Sequence, residues 1–424
     1  MRKFLMFLMV LALAFTFAVP AFAFENIFGG YWRTRAYMDK NFTGEDQTEA
    51  ADVTKVDTRT RLYYTAKFSD NFKFVNKFEM DATWGDASSG YGDIGADGIK
   101  VEVKNSYADM TFDKTNAKIG VQGATICRGF IFDDDFAGAV VAYKASDTLT
   151  LPFIWVKAYE GGYGKDANDY DFDYYAIYPT INLGKATVNP LLMYAYSKDA
   201  SNYDNFYTNP IADLGLDLTK ISVYYLGADV DANVGPASVW FTGIYEGGKV
   251  DVVIESETES VDVKAYLLAL GAGADVDKLN VHGQVFYASG ADDSSDYKGF
   301  WVPAGQSYYW AEIMGYGIFD NQVSNASCGD QISNIMALNL GASFKASDKL
   351  TLNGDLWFAQ LAEDDANGNT DLGTEIDLTA NYKLLDNVTL DVVAAYLVAG
   401  DATTLESDDE ADPLEIGTRI SFGF

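Results

Sequence analysis

The chain has 424 residues, 62 of them acidic against 30 basic, for a formal net charge of −32. An acidic excess of this size argues against nucleic acid, and against an anionic membrane surface, as partners. Two cysteines exclude a disulfide-dense scaffold, the missing C-x-x-C-H excludes a c-type haem of its own, and a single histidine, His282, excludes a multi-histidine metal centre.

Arg2 and Lys3 precede an apolar run from Phe4 to Val19, and Ala21-Phe22-Ala23 offers a small-residue cleavage site. Residues 1–23 are therefore expected to be a signal peptide and 24–424 one exported domain. The run is short for a membrane anchor, and no later stretch reaches the roughly 18 consecutive apolar residues of a spanning helix. A hydrophobic fraction of 48% without such a run fits strands that are apolar on one face and polar on the other. The 28 Tyr, 27 Phe and 7 Trp fit aromatic girdles at two membrane interfaces. A secreted β-sandwich alternates too, but rarely fills a chain this long without a linker, and none is seen.

After the leader one rhythm repeats. Between Asp57 and Phe68, Thr58, Thr60, Leu62, Tyr64 and Ala66 alternate with Arg59, Arg61, Tyr63, Thr65 and Lys67. Between Phe72 and Trp84, Phe74, Phe78, Met80 and Ala82 alternate with Lys73, Lys77, Glu79, Asp81 and Thr83. Period-two alternation describes strands. A charge facing lipid costs roughly 2–4 kcal/mol at the bilayer midplane, so the charged set is expected to line a lumen. Short turns rich in Asn, Asp, Gly or Lys are expected at 69–71, 113–116, 145–147, 184–185, 231–235, 275–278, 346–349 and 385–387. Longer loops are expected at 39–56, 85–98, 124–134, 160–169, 198–212, 247–258, 290–331, 362–371 and 400–411. This predicts an all-β, closed antiparallel transmembrane barrel of about 18 strands (16–20). A ring that wide is expected to hold water.

The final strand, Leu414-Glu-Ile-Gly-Thr-Arg-Ile-Ser-Phe-Gly-Phe424, keeps the same alternation and ends on an aromatic residue. It resembles the carboxyl-terminal signal of Gram-negative outer-membrane barrels. Together with Leu372-Gly-Thr-Glu-Ile-Asp377, Tyr382-Lys383 and Val121-Gln122-Gly123, it resembles the large outer-membrane porins. The nearest types are the alginate-export and substrate-specific channels, which share an approximately 18-stranded plan. The resemblance implies an outer-membrane location, lipid as a partner, and compatibility with a homo-oligomer such as a trimer. It also implies passive diffusion of small hydrophilic solutes and ions.

Beyond the leader there are six arginines, and five of them, Arg33, Arg35, Arg59, Arg61 and Arg419, have lumen parity on the first, second and last strands. Barrel closure makes those strands neighbours. Guanidinium binds carboxylate or phosphate at two points, so the five form a candidate track for anionic organic solutes. The other reading has them stiffening the wall by pairing with the candidate pore-lining acids Asp57, Glu79, Asp81, Glu375, Asp377 and Glu415. A mild cation preference for simple salts is expected from the total charge.

The loop at 290–331 is too apolar for a water-borne tail and is expected to narrow or cap the barrel. Its constriction candidates are Trp301, Tyr308, Trp310 and Glu312, joined by Arg128, Asp133, Asp134 and Asp135 from the 124–134 loop. Cys127 and Cys328 are a disulfide candidate between the two, with free thiols as the alternative. Asp365, Asn367, Asn369 and Asp371 resemble half of a calcium loop but lack its terminal glutamate. No cofactor is otherwise expected. Two other functional classes stay open: a sheath around an electron-conduit or export partner, and a barrel-embedded hydrolase built on His282. The latter lacks a G-x-S-x-G elbow, and no enzyme is expected.

Overall fold

The computed structural model describes residues 24–46, 52–86, 92–95, 100–162, 170–201, 217–254, 257–292, 294–404 and 410–424. The expected leader, 1–23, lies outside them. The first strands are β1 (Glu25–Lys40), β2 (Val53–Ser69), β3 (Phe72–Thr83), β4 (Glu102–Phe112), β5 (Thr115–Ile126), β6 (Phe132–Lys144) and β7 (Leu149–Tyr159). Next come β8 (Phe172–Ile177), β9 (Thr180–Asn182), β10 (Ala186–Ser197), β11 (Asp217–Val234), β12 (Ala237–Ile254) and β13 (Glu257–Val276). The last are β14 (Leu279–Ala288), β15 (Ile335–Lys345), β16 (Leu350–Leu361), β17 (Asp371–Leu385), β18 (Val388–Ala399) and β19 (Leu414–Gly423).

β8 and β9 both pair with β7 and with β10, so they are two halves of one stave, broken at Tyr178-Pro179. Pro179 has no N–H to give the ladder. Each stave is antiparallel to its neighbours, and β1 also pairs with β19 from Tyr31↔Gly423 to Lys40↔Leu414. The result is a closed barrel of 18 staves without an open edge. Tight turns occupy every expected short connection, and the other end carries the long ones.

Two loop boundaries are corrected. The 247–258 region is mostly strand: β12 runs to Ile254 and β13 starts at Glu257, with Val250, Val252 and Val263 buried. Lys249 pairs with Asp262 across that hairpin, so its charges sit in a ladder. The 124–134 region is also strand apart from Cys127–Ile131, where Cys127 and Arg128 take left-handed φ values of 50° and 61°.

The lumen departs most from expectation. Leu62, Phe74, Leu268, Ile376 and Ile420 are exposed on the outer face, as alternation requires of a lipid-facing set. The inner face, however, is not uniformly polar. On β10–β15 it carries Met193, Ile221, Val223, Tyr225, Ile244, Leu267, Phe286 and Ala337, all buried. What buries them is the 289–334 connection, which lies inside the barrel and contributes Phe300, Ile313, Met314 and Ile332, all fully buried in the same cluster. Half of the ring is therefore packed like a protein core rather than filled with water.

Candidate functional site

The opposite wall, β19–β1–β2–β3–β4, stays charged and open. The register sets Arg33 directly against Arg59, and Arg35 directly against Arg419. Like charges in directly opposed positions destabilise a sheet, so each pair needs compensation. Arg35 is bidentate to Asp57 (Nε–Oδ1 2.8 Å, Nη2–Oδ2 2.7 Å) and also donates to the carbonyls of Ile318 and Phe319. Arg59 is bidentate to Asp81 (2.7 and 2.5 Å) and reaches Glu79 at 3.2 Å. Arg61 donates to Glu79, and Arg419 donates to Asp391 from Nε and Nη2, both at 2.8 Å. Arg33 differs: among the described residues it has no carboxylate partner, and its Nε is buried without an acceptor.

Three cavities border this wall, and a fourth borders β12–β17 on the other side of the loop. The largest, about 1170 Å³, runs from Arg59, Arg61, Lys77 and Lys104 on the wall to Asp133, Asp134, Tyr309, Asp320 and Asp330 opposite. A second, of about 320 Å³, holds Arg33, Lys55, Lys100 and Asp320; a third, of about 350 Å³, holds Arg33, Arg419, Tyr309, Trp310 and Asp320. The fourth, of about 450 Å³, runs from Trp310 and Glu312 to His282 and Asp355. Asp320 lines the first three. It has a φ of 48° and accepts the Tyr309 hydroxyl at 2.7 Å. A loop carboxylate thus faces the guanidinium-rich wall across the open space.

Most of the candidate residues meet here, but not all in the expected role. Asp57 and Glu79 are buried beneath their arginines. Glu375 and Glu415 are buried, Glu375 accepting the loop N–H groups of Ile313 and Met314, while Asp377 accepts that of Glu312 and borders the fourth cavity. Of the acids expected on the strands, Asp81 keeps a half-exposed carboxylate beside the cavities, as the loop candidates Asp133 and Asp134 do. Trp301 lies in the plug, 2% exposed, with its backbone N–H donating to the Glu246 carboxylate (2.8 Å). Tyr308 stacks on Phe130 at 3.8 Å and donates to Gln284 at 2.7 Å. Arg128 crosses to Asp229 (3.0 Å) and Asp231 and lies over Trp240 at 4.7 Å. Asp133 accepts the Thr125 hydroxyl at 2.8 Å, and Asp135 pairs with Lys104 at 3.0 Å.

Cys127 and Cys328 are both free, so the disulfide candidate is corrected. Burial pushes both thiols up to about 12. The two loops are joined instead by Asp133 N–H to Gly305 O (2.8 Å), the Gln306 amide to Phe130 O (2.7 Å), and the Phe130–Tyr308 stack. The calcium candidate is a turn: Asp365 Oδ1 accepts the N–H groups of Asn367 and Asn369, both at 2.8 Å, and Asn369 donates to Asp401 O. Asp371 Oδ1 accepts the N–H of Gly373 at 3.0 Å. Among the described residues no three His, Cys, Asp or Glu converge on a metal position.

His282 gives a hydrolase no support. Its Nε2 lies 2.9 Å from Asp355 and its Nδ1 3.0 Å from Asn280, leaving no nitrogen for a serine. Ser238, near it, points its hydroxyl at Gly273 O. Nor does a sheath fit a lumen already half filled by the chain's own loop.

The sequence reading missed Asp320, Asp330, Tyr309 and Lys104. The first three lie on a loop whose path depends on tertiary packing. Lys104 shares a strand face with Glu102 and Ser106, a pattern readable as lumen parity.

No protein-family model matches the sequence, and no curated protein does. Solved structures do. OpdL of Pseudomonas aeruginosa superposes with a TM-score of 0.58 at 12% identity, over 94% of this chain and 99% of that one. OpdK of the same organism, solved with vanillate, gives 0.56 at 12%, over 94% and 98%. OccAB4 of Acinetobacter baumannii gives 0.56 at 10%, over 94% and 98%. The shared fold is that of a large outer-membrane barrel. At these identities it is the fold alone that is common.

Proposed function

We propose that the protein is a channel of the Gram-negative outer membrane through which small hydrophilic solutes diffuse passively, with a preference for anionic organic ones at its narrowest part. The observation that carries this is the set of three cavities that share Asp320 and border an arginine wall opposite it. The solute's contact is Arg33 rather than Arg35. Arg35 spends its donors on Asp57 and two carbonyls, whereas Arg33 borders two of the cavities with no carboxylate of its own. Guanidinium offers two parallel donors to a carboxylate. The OpdK structure with vanillate, an aromatic carboxylate, supports the same solute chemistry.

Charge on the outer loops is screened beyond about 8–10 Å, so the narrow section governs selectivity. There Asp320, Asp330 and Asp81 give a mild cation preference for simple salts, while Arg33 holds an organic anion in passing. Planar-bilayer conductance under a salt gradient tests both. A measurable pore, a small positive cation preference, and block by a polyanionic sugar are expected; absence of any current in reconstituted barrels overturns the proposal.

A further inference from the structure

Carboxyl groups crowd where loop residues 311–322 lie on β1, β17 and β19. Glu375 accepts the backbone N–H groups of Ile313 (2.7 Å) and Met314 (2.9 Å), and Asp377 accepts that of Glu312 (3.4 Å). Asp39 accepts the side-chain amides of Asn321 (3.0 Å) and Gln322 (3.2 Å). Glu312 itself turns back to accept the N–H of Ile318 at 2.8 Å. It passes over Gly317, whose φ is +46° and where an added Cβ would lie 2.0 Å from the carboxylate. The segment is therefore held to the wall chiefly by acids.

Those acids are also in contact with one another. Asp39 and Glu415 are register partners on β1 and β19, and Glu375 and Asp377 stand two residues apart on the inner face of β17. Buried carboxylates set this close repel one another unless some keep a proton. One oxygen each of Asp39, Asp377 and Glu415 is buried with no partner. The cations on the same strands as these acids are committed, Arg35 to Asp57 and Arg419 to Asp391, while Arg33 has no carboxylate partner among the described residues. Asp355 and His282 face Glu312 across one cavity; Arg33, Tyr309 and Asp320 face it across another.

We propose that residues 311–322 form a proton-held latch that sets the width of the path. Protonated, the carboxyl network clamps the segment to the wall with Asp320 in the passage; ionised, it repels itself and lets the segment lift. The inference rests on the channel reading above. Glu312 can sense pH because it borders water in two cavities. Burial, with the charges of Glu375 and Asp355 against that of Arg419, pushes its carboxyl from an ordinary 4.5 up to about 7. The docked segment therefore holds the proton more tightly than the released one. Docking is strongest at acid pH and loses up to about tenfold per pH unit between those two values.

The test uses the full barrel in planar bilayers, reading the largest neutral polyethylene glycol that enters the pore at pH 5 and at pH 8. A larger cut-off and conductance at pH 8 are expected, and Glu312→Gln should hold the small cut-off at both. Asp39→Asn combined with Glu415→Gln should shrink the difference without touching Glu312. An unchanged cut-off in the wild type, even alongside altered ion selectivity, overturns the latch, as does full pH dependence in Glu312→Gln. No current at either pH would count against the channel reading instead.

Discussion

The two walls of this barrel share a ladder and an outer face but not an inner one. On β13, Val263, Ala265, Leu267 and Ala269 point inward while Tyr266, Leu268 and Leu270 point outward, so both faces are apolar. On β2, Arg59 and Arg61 point inward while Leu62 points outward. The first wall can fold only if something covers it, and the 289–334 loop does. The second can stay wet because its charges pair laterally along the sheet. One ring of strands is thus divided into a packed half and an open, charged half by the chemistry of alternate residues.

The packed half should break most dramatically. Phe300 is fully buried, its N–H on Ser289 O at 2.8 Å and its carbonyl accepting Ser333 Oγ at 2.7 Å. Phe300→Ala should destabilise the docked loop by about 3–5 kcal/mol, the usual cost of a phenylalanine cavity. The barrel strands should survive it. Protease cleavage inside 289–334, with unchanged heat-modifiable mobility of the barrel on gels, is the expected pairing. Equal loss of both would mean the two halves do not fold separately.

Arg35 joins the two halves. Its guanidinium holds Asp57 on the wall and the Ile318 and Phe319 carbonyls on the loop. Arg35→Ala strands a carboxylate that is 7% exposed and should cost about 3 kcal/mol, as breaking one side of a buried pair does. Arg35→Lys should recover little, because a single ammonium cannot span both sets of acceptors. Thermal unfolding in detergent measures this; a loss indistinguishable from that of a surface arginine would separate the halves.

The staves and their turns were legible in the sequence because period-two alternation and Asn-, Asp- or Gly-rich turns are local signals. The lateral arginine cluster was legible as well, since closure alone brings the first and last strands together. The plug was only half legible. Its apolar content was visible at Phe300-Trp301 and Tyr308–Met314, but its landing site, the doubly apolar run Ala265–Leu270, was not read as one. Which residues met which was not, because Glu375 meets Ile313 and Arg35 meets Phe319 only after the loop has chosen its path. The same reason hid Asp320. Lateral pairing also changed the roles of the acids: Glu375 and Glu415 alternate just as Asp81 does, and only the loop above them decides that they are covered.

Within the open, charged half, Arg33 and Arg59 are register partners with unlike surroundings, which gives a sharper and smaller contrast. Arg33→Ala should weaken block by a polyanionic sugar about tenfold, equivalent to ~1.4 kcal/mol, and raise cation preference for simple salts. Arg59→Ala should change block less, because its charge is already opposed by Asp81 and Glu79. Concentration dependence of block at fixed salt compares them. Equal effects would make the wall a diffuse field rather than a site.

The smallest expected effect is none at all, at the cysteines. Cys127 and Cys328 belong to one apolar cluster that packs the 127–131 turn against the long loop, yet no bond joins them. With both thiols pushed up to about 12, thiolate is scarce at neutral pH, and the thiolate is the reactive form. A maleimide reagent should therefore label neither in the folded barrel and both after denaturation, and a reductant should leave conductance unchanged. Cys127→Ser is the more telling replacement, because the site it enters is fully buried and its backbone N–H already serves Tyr178 Oη at 3.2 Å. Its hydroxyl would find little there, so a modest loss of loop stability with unaltered selectivity is the outcome that fits. A pore that widens on reduction would mean that the packed half is pinned covalently, and the division between the halves would then rest on a bond rather than on burial.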